Sequence, residues 1–229
     1  MGQKASPIAN RLGITKGWEA SWYSHDIRAC LQEDIAIRNI FDRKLQRIIS
    51  RIYIERINDA ITITVHASKP GILIGPAGKT IQALKAKCKK KIGRNITINI
   101  VETKNPELNA RIVANKIAQD IEDGRNYKQA TKRAMEETMR NGAGGVKVSV
   151  AGRLGGVEIA RSINYKKEKV PTQTLRADIS YGKAEAHTTY GVIGITVHIY
   201  MREIYGKRSL ILDEPAGTSK RRRKEHYRK

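Results

Sequence analysis

The stretch Pro70-Gly71-Ile72-Leu73-Ile74-Gly75-Pro76-Ala77-Gly78-Lys79-Thr80-Ile81 constrains this chain more than any other part of it. Two glycines spaced G-x-x-G between long apolar residues describe a very tight turn joining two short helices. Gly75 and Gly78 carry no Cβ, so the turn can adopt backbone angles closed to other residues and can let a polyanionic backbone come close. The amides of such a turn, with the positive end of a helix starting near Lys79, make an anion site for consecutive phosphates. A bland alternative is a glycine turn with no ligand. A sharper one is the phosphate loop of an NTPase, which reads G-x-x-x-x-G-K-[ST]; its first glycine would fall at position 73, which holds Leu73. Leu210-Ile211-Leu212-Asp213-Glu214-Pro215 imitates a Walker B strand, and Arg153-Leu154-Gly155-Gly156 faintly imitates a transporter-ATPase signature.

The residues around the loop place it in an ordered frame. Ile37, Phe41, Leu45 and Ile48 recur at helical spacing and predict a helix from Asp34 to Ser50. Arg51 to Arg56 and Ile61 to Ala67 alternate as strands, with Asn58-Asp59 as the turn between them. After the loop, Ile81, Leu84, Cys88 and Ile92 form the apolar stripe of a helix. Seven basic residues and no acidic one occur from Lys79 to Arg94, Lys85 and Lys89 among them. A third strand, Ile96 to Val101, completes the set. Helix, strand, strand, glycine-linked helix pair, strand is the prokaryotic (type II) arrangement of the KH domain, and the region resembles one. That resemblance implies an RNA backbone held at Gly75, Pro76, Ala77, Gly78 and Lys79. KH loops commonly carry a basic residue between the glycines. Pro76 and Ala77 supply none, and Pro76 lacks an amide donor, so more of the attraction is expected from Lys79 and the helix lysines.

Charge points the same way. The chain has 44 Lys+Arg against 22 Asp+Glu, a net charge of +22 in 229 residues. Such a monomer repels itself unless it meets a polyanion, and nucleic acid is the default partner. No run of eighteen apolar residues and no signal-peptide pattern appears, which argues against a membrane and for the cytosol. Cys30 and Cys88 lie outside any C-x-x-C pattern, and the spacings of His66, His187 and His198 match no ligand motif. No metal, cofactor or small-molecule substrate is therefore expected. Aromatic content of 5% with a single phenylalanine weakens any reading that relies on stacked-base platforms. Trp18 and Trp22 read as anchors for an arm more readily than as base platforms.

The length suits two domains with tails. Residues 1–17, basic and without an acidic side chain, are expected as an extended arm, 18–104 as the KH domain, and 105–211 as a second α+β domain. Residues 212–229 are expected as a basic disordered tail, with seven basic residues and one acidic from Lys220 to Lys229. Pro106 marks the boundary. Leu108, Ile112, Val113, Ile117 and Ile121 give one helix its core stripe, ended by Gly124. A second helix from Tyr127 to Arg140 buries Ala130 and Ala134 and presents Lys128, Lys132, Arg133 and Arg140. Strands are expected at Val146 to Val150, Leu175 to Tyr181 and Val192 to Met201, so two helices should pack on an antiparallel sheet.

Gly152-Arg153-Leu154-Gly155-Gly156-Val157-Glu158-Ile159-Ala160-Arg161, Thr174-Leu175-Arg176-Ala177-Asp178-Ile179 and Ala186-His187-Thr188-Thr189-Tyr190-Gly191-Val192-Ile193-Gly194 make the second domain similar to the bacterial-type third ribosomal protein of the small subunit. Met1-Gly2-Gln3-Lys4 and Arg11-Leu12-Gly13-Ile14 agree, and the likeness runs over residues 1–211. His198 and Tyr200 depart from it, since the family's last strand often carries a tryptophan and another apolar residue there. The resemblance implies a non-enzymatic constituent of the small-subunit head. Such a constituent binds ribosomal RNA and neighbouring small-subunit proteins, lies beside the channel through which messenger RNA enters, and works in the cytoplasm within the ribosome. On that resemblance Lys128 and Lys132 face the message, with Gln129 where relatives can carry another cation. Arg153, Arg161 and Arg176 are expected to contact ribosomal RNA or a neighbouring protein, or else to form salt bridges within the domain, to Asp178 or Glu158. A free-standing KH-type regulator is the other binding-protein reading.

Overall fold

The computed structural model describes residues 5–45, 47–57 and 60–205. The Asn58-Asp59 turn, the Walker B-like run and the basic tail lie outside them. Two four-stranded sheets organise the chain, each with its own hydrophobic cluster.

The first sheet has strands β1 (Ala20–Ser21), β2 (Ile49–Ile57), β3 (Ala60–Ala67) and β4 (Ile96–Glu102), side by side in that order. β2 and β3 are antiparallel, whereas β4 runs parallel to β3 in the register Ile61↔Ile96 to Ala67↔Glu102. A parallel neighbour needs a crossover, and α2 (Pro70–Ile74), the glycine turn and α3 (Lys79–Ile92) supply it. Ile61, Ile63 and Val65 alternate inward and bury completely with Ile37, Phe41, Leu73, Leu84 and Cys88. The first long helix, α1, spans Ile27–Leu45 where Asp34 to Ser50 is expected. It starts early because the Asp26 carboxylate accepts the Ala29 amide at 3.1 Å, a side-chain cap. It stops early because Ile49 and Ser50 are taken into β2.

The second sheet joins β5 (Gly145–Gly152), β6 (Arg161–Glu168), β7 (Ala177–Thr188) and β8 (Gly191–Glu203) in the order β6-β5-β8-β7, all antiparallel. β6 is not among the expected strands, because only Ile163 and Tyr165 of its sequence RSINYKKE alternate inward, too short an apolar signal in a polar run. α4 (Ala110–Glu122) and α5 (Tyr127–Arg140) cover one face, packing Val113, Ile117, Ala134 and Met135 on Val146, Val148, Ile195 and Val197. Helix α4 lies against Gly182 so closely that an added Cβ there would sit 2.5 Å from the Ala110 carbonyl carbon. Ser180 Oγ accepts the Ala110 amide at 3.0 Å, and Asn109 and Asn126 cap α4 and α5.

The expected extended arm takes another form. A 3-10 turn at Ala9–Arg11 and a bridge between Leu12 and Lys16 fold residues 5–17 onto the second domain. Arg11 is fully buried and donates to the carbonyls of Ala177, Pro7, Thr172 and Thr174 at 2.7 to 3.0 Å, while Lys16 pairs with Asp178 at 3.2 Å. Basic residues thus serve here as internal fasteners, because one guanidinium can donate to several carbonyls at once.

Candidate nucleic-acid interface

The glycine turn is built by steric necessity. Gly75 has φ 69° and ψ 176°, and a Cβ at this residue would lie 2.1 Å from Thr80 Oγ1 and 2.8 Å from Thr80 Cβ. Gly78 is left-handed at φ 73°, and Ala77 is left-handed as well at φ 52° and ψ 28°. Pro76 and Ala77 are exposed. The loop spends amides on itself: the Gly78 N–H donates to Gly75 O at 3.2 Å and the Lys79 N–H to Pro76 O. With Pro76 offering none, an anion here meets the Ala77 amide, the first turn of α3 and the Lys79 ammonium. The turn follows a five-residue helix, not a strand, so the strand-loop-helix context of a Walker A site is missing.

Helix α3 extends this electropositive end. Leu84 and Cys88 are buried, and Lys79, Lys85, Lys87, Lys89, Lys90 and Lys91 are all exposed. Gly93, left-handed at φ 78°, closes the helix by donating to Lys89 O at 2.8 Å. Burial pushes the Cys88 thiol pKa up, as expected of an inert core cysteine.

A second cationic surface lies on α5. Ala130, Thr131, Ala134, Met135 and Thr138 face the sheet, leaving Lys128, Lys132 and Arg140 on the exposed arc with no ion pair among the described residues. Arg133 shares the arc but donates to Glu137 one turn on at 3.1 Å. Glu137 is held below the usual carboxylate range chiefly by its hydrogen bond from Lys116 on α4, with Arg133 adding to it. Glu136 also stands exposed on this face. Neither acid is among the site residues expected from sequence, although the four-residue spacing of Arg133 and Glu137 is the signal for such a pair.

The three arginines in and near the glycine-rich segment are in different states. Arg153 donates to the carbonyls of Val157 and Tyr190, both at 3.0 Å, and ties the β5–β6 connection to the β7–β8 turn. Arg176 pairs with Glu203 at 2.6 Å, its guanidinium carbon 5.3 Å from the Tyr205 ring centre. Asp178 and Glu158, the partners suggested by sequence, are not used, because register places Glu203 across from Ala177 on the neighbouring strand. Arg161, at the exposed start of β6, has no partner among the described residues.

Of the two tryptophans, Trp22 is an anchor. Its indole N–H donates to Asp34 at 2.8 Å, and Arg56 lies over its ring while pairing with Glu33 and Asp34 of α1. Among the described residues no group of His, Cys, Asp and Glu could hold a metal ion, and no helix is long and apolar enough to cross a membrane.

Comparison with known proteins agrees with both halves. The KH domain family matches residues 33–108, and the family described as ribosomal protein S3, C-terminal domain, matches residues 117–199. Proteins named small ribosomal subunit protein uS3 are similar over nearly the whole chain. The one from Phocaeicola vulgatus is 49% identical over 92% of this chain and 87% of its own. That from Flavobacterium johnsoniae is 46% identical over 92% and 84%, and that from Brevibacillus brevis 42% identical over 95% and 100%. With a type II KH domain joined to this particular C-terminal sheet, and identity of this level along its length, the chain belongs to the uS3 family of small ribosomal subunit proteins.

Proposed function

We propose that the chain, a structural and non-enzymatic component of the small subunit in the cytoplasmic ribosome, grips ribosomal RNA through the glycine loop and the lysines of α3. In the same reading it lays α5 along messenger RNA where the message enters. The observation that carries this reading is the division of labour on α5. One side is turned inward by five buried residues, and the other exposes Lys128, Lys132 and Arg140 without ion-pair partners among the described residues, with Glu136 between the last two. Cations carried on a helix that is itself held by packing suit a moving polyanion, since lysine and arginine contacts to phosphate carry no sequence preference. Neighbouring small-subunit proteins complete the surroundings.

Replacing Lys128 and Lys132 by alanine tests it. Affinity for single-stranded RNA should fall, and the slope of log K against log salt should become shallower by about 0.7 for each phosphate no longer neutralised. An unchanged slope would remove α5 from the message. Sedimentation of the tagged chain with the small subunit at moderate salt separates a ribosomal constituent from a free-standing KH regulator.

A further inference from the structure

Helices α4 and α5 cover only one face of the second sheet, and the strand register shows what stands on the other. Lys166, Lys147, His198 and Tyr181 are direct neighbours in one row across β6, β5, β8 and β7. The next row is Asn164, Ser149, Thr196 and Lys183. Neither row contains a carboxylate. Glu168 and Glu185 stand in nearby rows, and none of the three lysines forms an ion pair with a described residue. The centre is flat and open: Ala151 faces Gly194, where an added Cβ would meet nothing closer than 3.9 Å.

Like charges directly opposite one another on adjacent strands destabilise a sheet. Lys147 and Lys166 are such a pair and meet no described carboxylate, whereas Arg56 and Arg176 each do. An unneutralised pair in a sheet calls for an anion from outside. The rows have no exposed apolar side chain and no arginine, and lysine and serine are the residues that protein interfaces deplete. Ammonium groups interleaved with hydroxyls and an amide are instead the contacts made to phosphate and ribose. Tyr181 and His198 add a ring pair 4.9 Å apart, with the Lys183 ammonium 5.9 Å from the tyrosine ring centre.

We propose that the helix-free face of the second sheet is a further RNA-backbone site, with Lys147, Lys166 and Lys183 as its phosphate contacts. The site rests on the reading that this chain binds RNA, and it is separate from both the glycine loop and α5.

The test uses the full chain, protein-free small-subunit ribosomal RNA as probe, and the triple variant Lys147→Gln, Lys166→Gln, Lys183→Gln beside the α5 double variant and their combination. The triple variant should lose affinity and flatten the salt slope by about 2 to 3, at about 0.7 to 0.9 per phosphate. Its effect should add to that of the α5 variant. Its Tm should equal or exceed the parent's, since a repulsion is removed. Parental binding by the triple variant while the α5 variant binds weakly would overturn the sheet site and leave the helix reading intact. The reverse pattern would sink the helix reading alone, and parental binding by both would sink the two together. A lowered Tm would show the lysines to be held by the fold itself and would also overturn the proposal. So would a photo-crosslinker at position 166 that, in assembled subunits, labels protein and no RNA.

Discussion

Replacing Gly75 by alanine should destabilise the first domain far more than the same change at Gly78, although both are glycines of one motif. At Gly75 the backbone sits at φ 69°, ψ 176°, a region essentially reserved for glycine and costing about 1–3 kcal/mol for other residues. The new Cβ would also stand 2.1 Å from Thr80 Oγ1, 2.8 Å from Thr80 Cβ and 3.3 Å from Thr80 N. A hydroxyl can rotate away, but the Cβ and backbone nitrogen move only with α3 itself, and overpacking of that kind costs about 1–3 kcal/mol. Strain and clash together come to about 4 kcal/mol. At Gly78 the backbone is plainly left-handed and the nearest atom to an added Cβ is Ile81 Cγ2 at 3.9 Å, so about 1–2 kcal/mol is expected. Ala77 already tolerates the left-handed region next door, which shows that this geometry alone is bearable here. Urea unfolding followed by tryptophan fluorescence reads the right domain, because Trp22 reports on its hydrogen bond to Asp34 of α1. Adding Thr80→Gly to Gly75→Ala removes the clash and leaves the strain, so about half the penalty should return. The reasoning fails if the two alanine variants cost the same, or if Thr80→Gly brings no relief.

Three further outcomes follow from the packing. Arg11→Met should cost about 3 kcal/mol, since it strips charge-assisted donors from buried carbonyls, and should release the N-terminal segment from the second domain as faster tryptic cleavage at Lys16. Arg56→Met should cost about 3–5 kcal/mol by leaving Asp34 and Glu33 without their cation, with a shifted Trp22 emission as the local sign. The lowered pKa of Glu137 favours the folded state fully above the ordinary carboxylate value of 4.5, and that contribution disappears as pH falls through the lowered value. Glu137→Gln should therefore unfold with a shallower acid limb than the parent in a pH series of thermal melts.

How far the chain can be read from sequence varies with the kind of interaction involved. The alternation of Ile61, Ile63 and Val65 and the stripe of Val113, Ile117 and Ile121 are legible because each element advertises its buried face through its own period. The glycine turn is legible because only glycine fits φ 69° with ψ 176°. β6 is not, since an edge strand that turns only Ile163 and Tyr165 to the core has too short an alternation to stand out. The fates of the arginines are not legible either. Arg153, Arg161 and Arg176 look alike along the chain, yet one holds two carbonyls, one is exposed and one meets a glutamate 27 residues away.

By itself, then, the sequence determined most of the core helices and strands, that the loop at Gly75 would be tight, and that the whole would carry an excess of 22 positive charges. Those properties are local or additive, and depend on neighbours in the chain or on a sum. Only the tertiary structure decided which charges remain available. Arg11 disappears beneath the second domain, Arg133 turns to Glu137, and Lys147 comes to stand opposite Lys166. Electrostatic partnership depends on distance in space, and strand register and helix packing set that distance between residues that the sequence keeps far apart.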